Sequence, residues 1–383
     1  MTKKIEYCKI LMIILIISIT FYFKKERIIL IELKDEINNV KKYYNLNNKG
    51  ILINKKNFTR IENPKVSIVS AIYNRQEFIL RFIRSIQNQF FDDIEMIFID
   101  DCSTDLTRKL IEEYQKEDER IILLKHKKNK GTLISRNIGA LKAKGEYLII
   151  PDPDDILSQN ILNICYDVAS KNNYDMIRFN MYSDFYFPFN TIANNLKSTI
   201  YQPELSTYLI YGYGYKQIID GIISNKFIKT TTYLLTLNKI NNFYLNRKMV
   251  YFEDGLINFA LHRYAKSLHL LKKIGYYYIF NNNSVSRYMD IESYLNCFCI
   301  FIRYIFENTK NNKYEKGIVF YLLILYLQDI KIFNNLKNNL NYIQICENVI
   351  NEIFNNKYIT SRNQNHLRNI KYLFSNIKKS VNI

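Results

Sequence analysis

From Pro64 onward the chain alternates short apolar runs with longer stretches that are apolar on one face only. VSIVSAI (Val66 to Ile72) reads as a buried strand. The following stretch, Glu77 to Gln89, sets Phe78, Ile79, Phe82, Ile83 and Ile86 at helical spacing. The alternation then repeats. IEMIFID predicts a second strand, Thr104 to Glu117 a second helix that Ser103 or Thr104 can cap, and RIILLKH a third strand. A helix from Thr132 to Lys144 leads into a fourth strand, EYLII. Parallel strands need helical crossovers, so this order predicts an α/β architecture with a mainly parallel sheet flanked by helices. Such sheets bind ligands beyond the carboxyl ends of their strands. Those ends carry Tyr73-Asn74-Arg75, then Asp100-Asp101-Cys102-Ser103, then Pro151-Asp152-Pro153-Asp154-Asp155.

The pattern at the N-terminus is different. Between Lys9 and Lys24 lies ILMIILIISITFYF, uninterrupted by charge and flanked by basic residues on both sides. It is short for a bilayer span unless Tyr7, Cys8 and a snorkelling Lys9 are counted. It lacks the small-residue cleavage site of a signal peptide and the polar face of a core helix. It therefore predicts a signal-anchor: a cytosolic tail over 1–9, a transmembrane segment over 10–23 and a stem over 24–63. With Asn57-Phe58-Thr59 and Asn282-Asn283-Ser284 as glycosylation acceptors, this implies a type II protein of the endoplasmic reticulum or Golgi with a lumenal body. Beyond Arg287, the aromatic-rich stretches YLNCFCIFIRYIFENTK and GIVFYLLILYLQDIKIFNNL predict a helical extension over 291–383.

Composition narrows the picture. Lys and Arg number 54 against 36 acids, a net charge of +18, but they are scattered without a basic run or a nucleic-acid motif, so no nucleic-acid partner is implied. The six cysteines form neither a C-x-x-C pair nor a zinc pattern. No G-x-G-x-x-G follows the first strand, which argues against a nicotinamide dehydrogenase.

Three carboxylates in IIPDPDD, in so basic a chain, call for a counter-charge. Oxygen ligands suit Mg2+ or Mn2+, with substrate phosphates completing the shell. The competing reading makes Asp154 or Asp155 a cap for ILSQNILNICYDVA, and spacing leaves the two equal. Pro151 and Pro153 disfavour helical backbone at Ile150 and Asp152 and stiffen the segment.

VSIVSAIYNRQEFILRFIRSIQNQ, EMIFIDDCSTD and NKGTLISRNIGALKAKGEYLIIPDPDD resemble, in order, the opening strand and helix, the nucleotide-binding segment and the DXD run of the family 2 glycosyltransferases, which have the GT-A fold. ISNKFIKTTTYL, YFEDGLINFAL and YYYIFNNNSVS resemble acceptor-side segments of its lipopolysaccharide and surface-glycan transferases. The resemblance implies a catalytic domain over 64–290. It implies a metal at Asp152 and Asp154, a nucleotide-base contact from Asp100 or Asp101, and a pocket lined by Ala71 and Tyr73. Arg136 would lie beside the donor, in an N-x-G-x-x-x-x-R-N run that also holds Gly131 and Asn137, and Asp254 would be the catalytic base.

The implied reaction is an inverting transfer from a nucleotide-diphosphate sugar, a UDP-sugar, to a hydroxyl of a glycan, glycoprotein or glycolipid, assisted by Mn2+ or Mg2+. Rival readings are a polyprenyl-phosphate glycosyltransferase and a silent GT-A scaffold protein. Residue by residue, Asp100 or Asp101 can instead cap a helix, Glu253-Asp254 can be a helix start, and Arg136 can face solvent. Cys102 stands where the family commonly has Gly, which puts the geometry of that loop in question.

Overall fold

The computed structural model describes residues 58–183, 198–202, 222–279 and 291–308, within a compact unit that runs from Phe58 onward. The first four strands lie where the apolar pattern puts them. β1 (Val66–Ile72) pairs in parallel with β2 (Ile94–Asp100) on one side and β4 (Tyr147–Ile149) on the other. β3 (Ile121–Lys125) continues the parallel arrangement beyond β2. The crossovers are α1 (Ile79–Gln87), α2 (Thr107–Gln115) and α3 (Thr132–Lys142).

Beyond β4 the sheet becomes mixed. β8 (Lys226–Lys229) runs antiparallel to both β4 and β6 (Met176–Ser183), and β9 (Ser267–Tyr278) lies parallel to β6. The short strands β5 (Ile156–Leu157) and β7 (Thr199–Tyr201) pair antiparallel with β9. The order is β3-β2-β1-β4-β8-β6-β9-β5, so the parallel half occupies one end of the sheet.

Period-two alternation divides the apolar residues between two layers. Val66, Ile68 and Ile72 of β1 join Met96 and Phe98 of β2 on one face, under α1 and α4 (Ile161–Asn172). Val69, Ile97, Ile99 and Leu148 point to the other face. That face is covered by α3, α5 (Thr230–Lys239), α7 (Glu253–Tyr264) and α8 (Ile291–Asn308), with the single turn α6 (Asn242–Leu245) between α5 and α7. On α8 the buried positions Cys297, Phe298, Phe301, Tyr304 and Ile305 recur at helical spacing and face this layer.

The apolar run over 10–23 and the stem up to residue 57 lie outside the described residues, as do Asn57, Asn282 and the extension beyond 308. Among the described residues no helix is long and apolar enough to cross a membrane.

α3 seats unusually close to the sheet because residue 139 is glycine: a Cβ there would meet Val69 Cγ1 and come within 2.5 Å of Ile99 Cδ1. This close approach, one turn after Arg136, fixes where that arginine emerges at the sheet edge. Gly139→Ala is expected to lower stability by about 1–3 kcal/mol, the usual cost of overpacking. Urea unfolding should show the midpoint falling with an unchanged m-value.

Candidate active site

Because β1 is flanked by β2 and β4, its carboxyl end brings three loops side by side. Asp101 N donates to Ile72 O at 2.8 Å, and Ser70 Oγ of β1 donates to Pro151 O at 2.9 Å. Asn74 joins the first two loops: its own N–H donates to Ser103 Oγ and its side-chain oxygen accepts from Thr104 N. Ala71 is the penultimate residue of β1, and Tyr73, just beyond the strand, is 43% exposed and available to stack.

The acidic pair behind β2 divides into two roles. Asp100 is fully buried; Oδ1 accepts from Ser103 N at 3.1 Å and Oδ2 takes a two-pronged contact from Arg108, 2.6 Å to Nε and 2.5 Å to the terminal nitrogen. Asp101 accepts from Lys130 N and Gly131 N, each at 2.8 Å, and its Oδ1 lies 2.8 Å from His126 Nδ1. A carboxylate only accepts, so His126 carries its proton on Nδ1 there. Asp101 thus ties the loop before α3 to the end of β2. The loop between them keeps a glycine-like course, since Cys102 itself adopts φ +69°.

The segment after β4 closes into a turn, with Asp155 N donating to Asp152 O at 3.3 Å and Pro153 at the second position, where its fixed φ suits a turn. Pro151, Pro153 and Asp155 are buried, while Asp152 and Asp154 are partly exposed. Asp155 faces inward: Tyr276 O–H donates to its Oδ2 at 2.7 Å and Ile279 N to its Oδ1 at 2.8 Å. The same Tyr276 oxygen accepts from Asp152 N at 3.0 Å, pinning the turn to β9. Burial, then the neighbouring charges of Asp154 and Asp152, hold the Asp155 carboxyl well above the usual carboxylate range. Its role in this structure is to anchor the turn.

Arg136 is the hub. Its guanidinium is 7% exposed, which excludes the solvent-facing alternative. One terminal nitrogen donates to Asp152 Oδ1 at 2.6 Å; the other pairs with Asp254 Oδ1 and lies 3.4 Å from Glu253 Oε1. Burial opposes the arginine charge, but Asp254, Asp152 and Glu253 outweigh it and raise its pKa further. Asp254 Oδ2 also accepts from Ile223 N at 3.2 Å. Burial raises the proton affinity of Asp254, opposed by Arg136. Glu253 is pushed up to about 7 by burial and then by the charge of Asp254. A second arginine, Arg75, places Nε 3.4 Å from Asp154 Oδ2.

The acidic pair opens α7, directly after Phe252, whose φ of +62° is rare for a bulky residue and costs about 1–3 kcal/mol. Sequence pattern gave no sign of this conformation, nor of the phenol of Tyr276 beneath the turn. His262 and His269 lie away from the acids: His262 Nδ1 is 2.8 Å from Asn258 O within α7, and His269 stacks on Tyr174.

Residues 67–233 match the family model described as glycosyl transferase family 2. This stretch is a family 2 glycosyltransferase domain. The chain is 27% identical over 267 residues to EpsH of Bacillus subtilis, covering 69% of this chain and 76% of EpsH. A Campylobacter jejuni protein, GalNAc(5)-diNAcBac-PP-undecaprenol beta-1,3-glucosyltransferase, is 36% identical over 109 residues, 28% of this chain and 35% of its own length. Among solved structures, S. aureus TarS is similar with a TM-score of 0.60 and 16% identity over 82% of this chain and 53% of TarS. TarS 1-349 in complex with UDP-GlcNAc gives 0.52 and 18%, over 75% and 83% of the two chains. These structures show that the fold is shared. The expected placement in the endoplasmic reticulum or Golgi as a single-pass protein is corrected. These relatives are bacterial, bacteria have no such compartments, and no helix among the described residues is long and apolar enough to span a bilayer.

Two outcomes follow from the site itself. Cys102→Gly relieves a left-handed conformation worth about 1–2 kcal/mol and gives back part of it as unfolded-chain entropy, so a net gain of about 0.5–1 kcal/mol is expected in denaturant melts. Glu253 keeps its proton in the folded state between about 4.5 and about 7, where the unfolded chain has released it. Its contribution to stability therefore declines as pH rises through that window. Glu253→Gln should flatten the decline of Tm across it.

Proposed function

We propose that this glycosyltransferase moves a sugar from a nucleotide-diphosphate sugar, a UDP-sugar, to a glycan hydroxyl in one inverting displacement, with Asp254 as the base. The observation that carries this reading is the Arg136 bridge, which holds Asp152 of the donor-side turn and Asp254 of the acceptor side on one planar group. The donor class is supported by the UDP-GlcNAc complex of TarS, which shares the fold. The acceptor class is supported by the Campylobacter relative, whose name gives a glycan on undecaprenyl diphosphate as acceptor.

Asp152 and Asp154 project from the turn with side-chain exposures of 33% and 16%, while Asp155 points inward. Among the described residues no third His, Cys, Asp or Glu completes a metal-binding group with them. Two partly exposed carboxylates fit Mg2+ or Mn2+, which take their remaining ligands from water and substrate phosphates. When bound, the ion supplies neutralising charge for the nucleoside diphosphate as it departs. The other steps belong to side chains. Tyr73 offers its ring to the nucleotide base. The acceptor O–H gives its proton to Asp254 as its oxygen bonds to the anomeric carbon, and the bond from that carbon to the diphosphate oxygen breaks on the opposite face. Burial favours Asp254 in this role by raising its proton affinity.

Asp254→Asn is expected to lower kcat by about 100-fold or more while nucleotide affinity stays within twofold. Asp154→Asn should instead abolish the Mn2+-dependent part of UDP affinity, measured by calorimetry with and without the ion. An active Asp254→Asn enzyme, or a product that retains the anomeric configuration of the donor, would sink this mechanism.

A further inference from the structure

The pair Glu253-Asp254 is gripped from behind by helix α8. Phe252, immediately before the pair, takes its left-handed backbone beneath a cluster of rings: Tyr294 at 4.9 Å, Phe298 at 5.4 Å and Phe301 at 5.6 Å between centroids. The Phe301 ring lies nearly flat on that of Phe252, with 12° between the planes. Tyr294, Phe298 and Phe301 are spaced by four and three residues, so they share one face of α8.

The residue after the pair meets the same ring. At Gly255, a Cβ would stand 3.0 Å from Phe301 Cζ and 3.1 Å from Cε2. Phe301, 1% exposed, therefore touches the residues on both sides of Glu253-Asp254, and the absence of a side chain at 255 is what lets it do so. A strained conformation persists only where its surroundings over-determine it. Here α8 lays three rings against Phe252, whereas Asp152 and Asp154 sit on a turn pinned to β9.

We propose that Phe301 is a positioning residue for Asp254. Acting through Phe252 and Gly255, it sets the angle at which α7 begins and so where the base carboxylate stands relative to Arg136 and the donor turn. This rests on the reading of Asp254 as the base. Displacement of a reacting group by about 1 Å costs on the order of 100-fold in rate, whereas donor affinity depends on a different part of the sheet edge.

The test uses the full chain with Gly255→Ala, Phe301→Leu, the double variant and Asp254→Asn. Gly255→Ala, which pushes a methyl into the Phe301 ring, should lower kcat by about 10- to 100-fold with donor KM and UDP affinity within about twofold. Phe301→Leu alone should lower kcat less, with the same split. The double variant, in which the smaller side chain makes room for the methyl, should recover most of the loss. If Gly255→Ala does not fold, the kcat against KM split in Phe301→Leu decides alone. Unchanged kcat, a parallel loss of UDP affinity, or no recovery in the double variant would overturn the proposal while an inactive Asp254→Asn left the base reading standing. An active Asp254→Asn would overturn that reading and this proposal with it.

Discussion

One buried guanidinium constrains the site. Arg136 faces three carboxylates, from the turn after β4 and from the first two positions of α7, and it is nearly sealed from water. Removing a charge from such a cluster leaves the others uncompensated, a situation that ordinarily costs several kcal/mol. Lysine would not substitute well, because a point charge cannot present two donors at a fixed angle to two separate carboxylates. The arginine reaches this position because α3 lies so close to the sheet at Gly139, so a packing detail on the apolar face determines an electrostatic one at the edge.

The acids around it are not equivalent, and their surroundings separate them. Asp155 is spent on Tyr276 and the backbone of Ile279, Asp100 on Arg108, and Asp101 on the loop leading to α3. Asp152, Asp154 and Asp254 keep some contact with solvent, Asp254 at 23% side-chain exposure against 13% for Glu253. Identical side chains a few residues apart thus act as anchors or as candidates for chemistry, according to how much of each carboxylate still meets solvent.

The parallel half of the sheet was legible because its apolar runs alternate regularly with amphipathic helices, so that even the three-residue β4 falls in sequence. The mixed half was not: β8 is four residues, β5 two, and neither carries a usable period. At the site, local motifs pointed to Arg136, Asp152, Asp154 and Asp254, but no local rule connects Arg136 to a carboxylate 118 residues away. Asp100 and Asp101 were indistinguishable as a sequence pair, since what separates them is Arg108 on one side and the residues 126–131 on the other. Cys102 is the reverse case. It departs from the family pattern, yet its backbone takes the conformation that glycine would have supplied, so the departure in sequence is not one in shape.

The packing of α8 on α7 bears on where this enzyme can be cut. A fragment ending at Arg287, before α8, would keep every strand described, the turn after β4, Arg136 and both residues of the acidic pair. It would nevertheless lose every ring that α8 lays against Phe252. The family match, which ends at residue 233, stops short of both the acidic pair and the helix packed against it. Shuffling such domains between enzymes would have to carry the trailing helix along with the core.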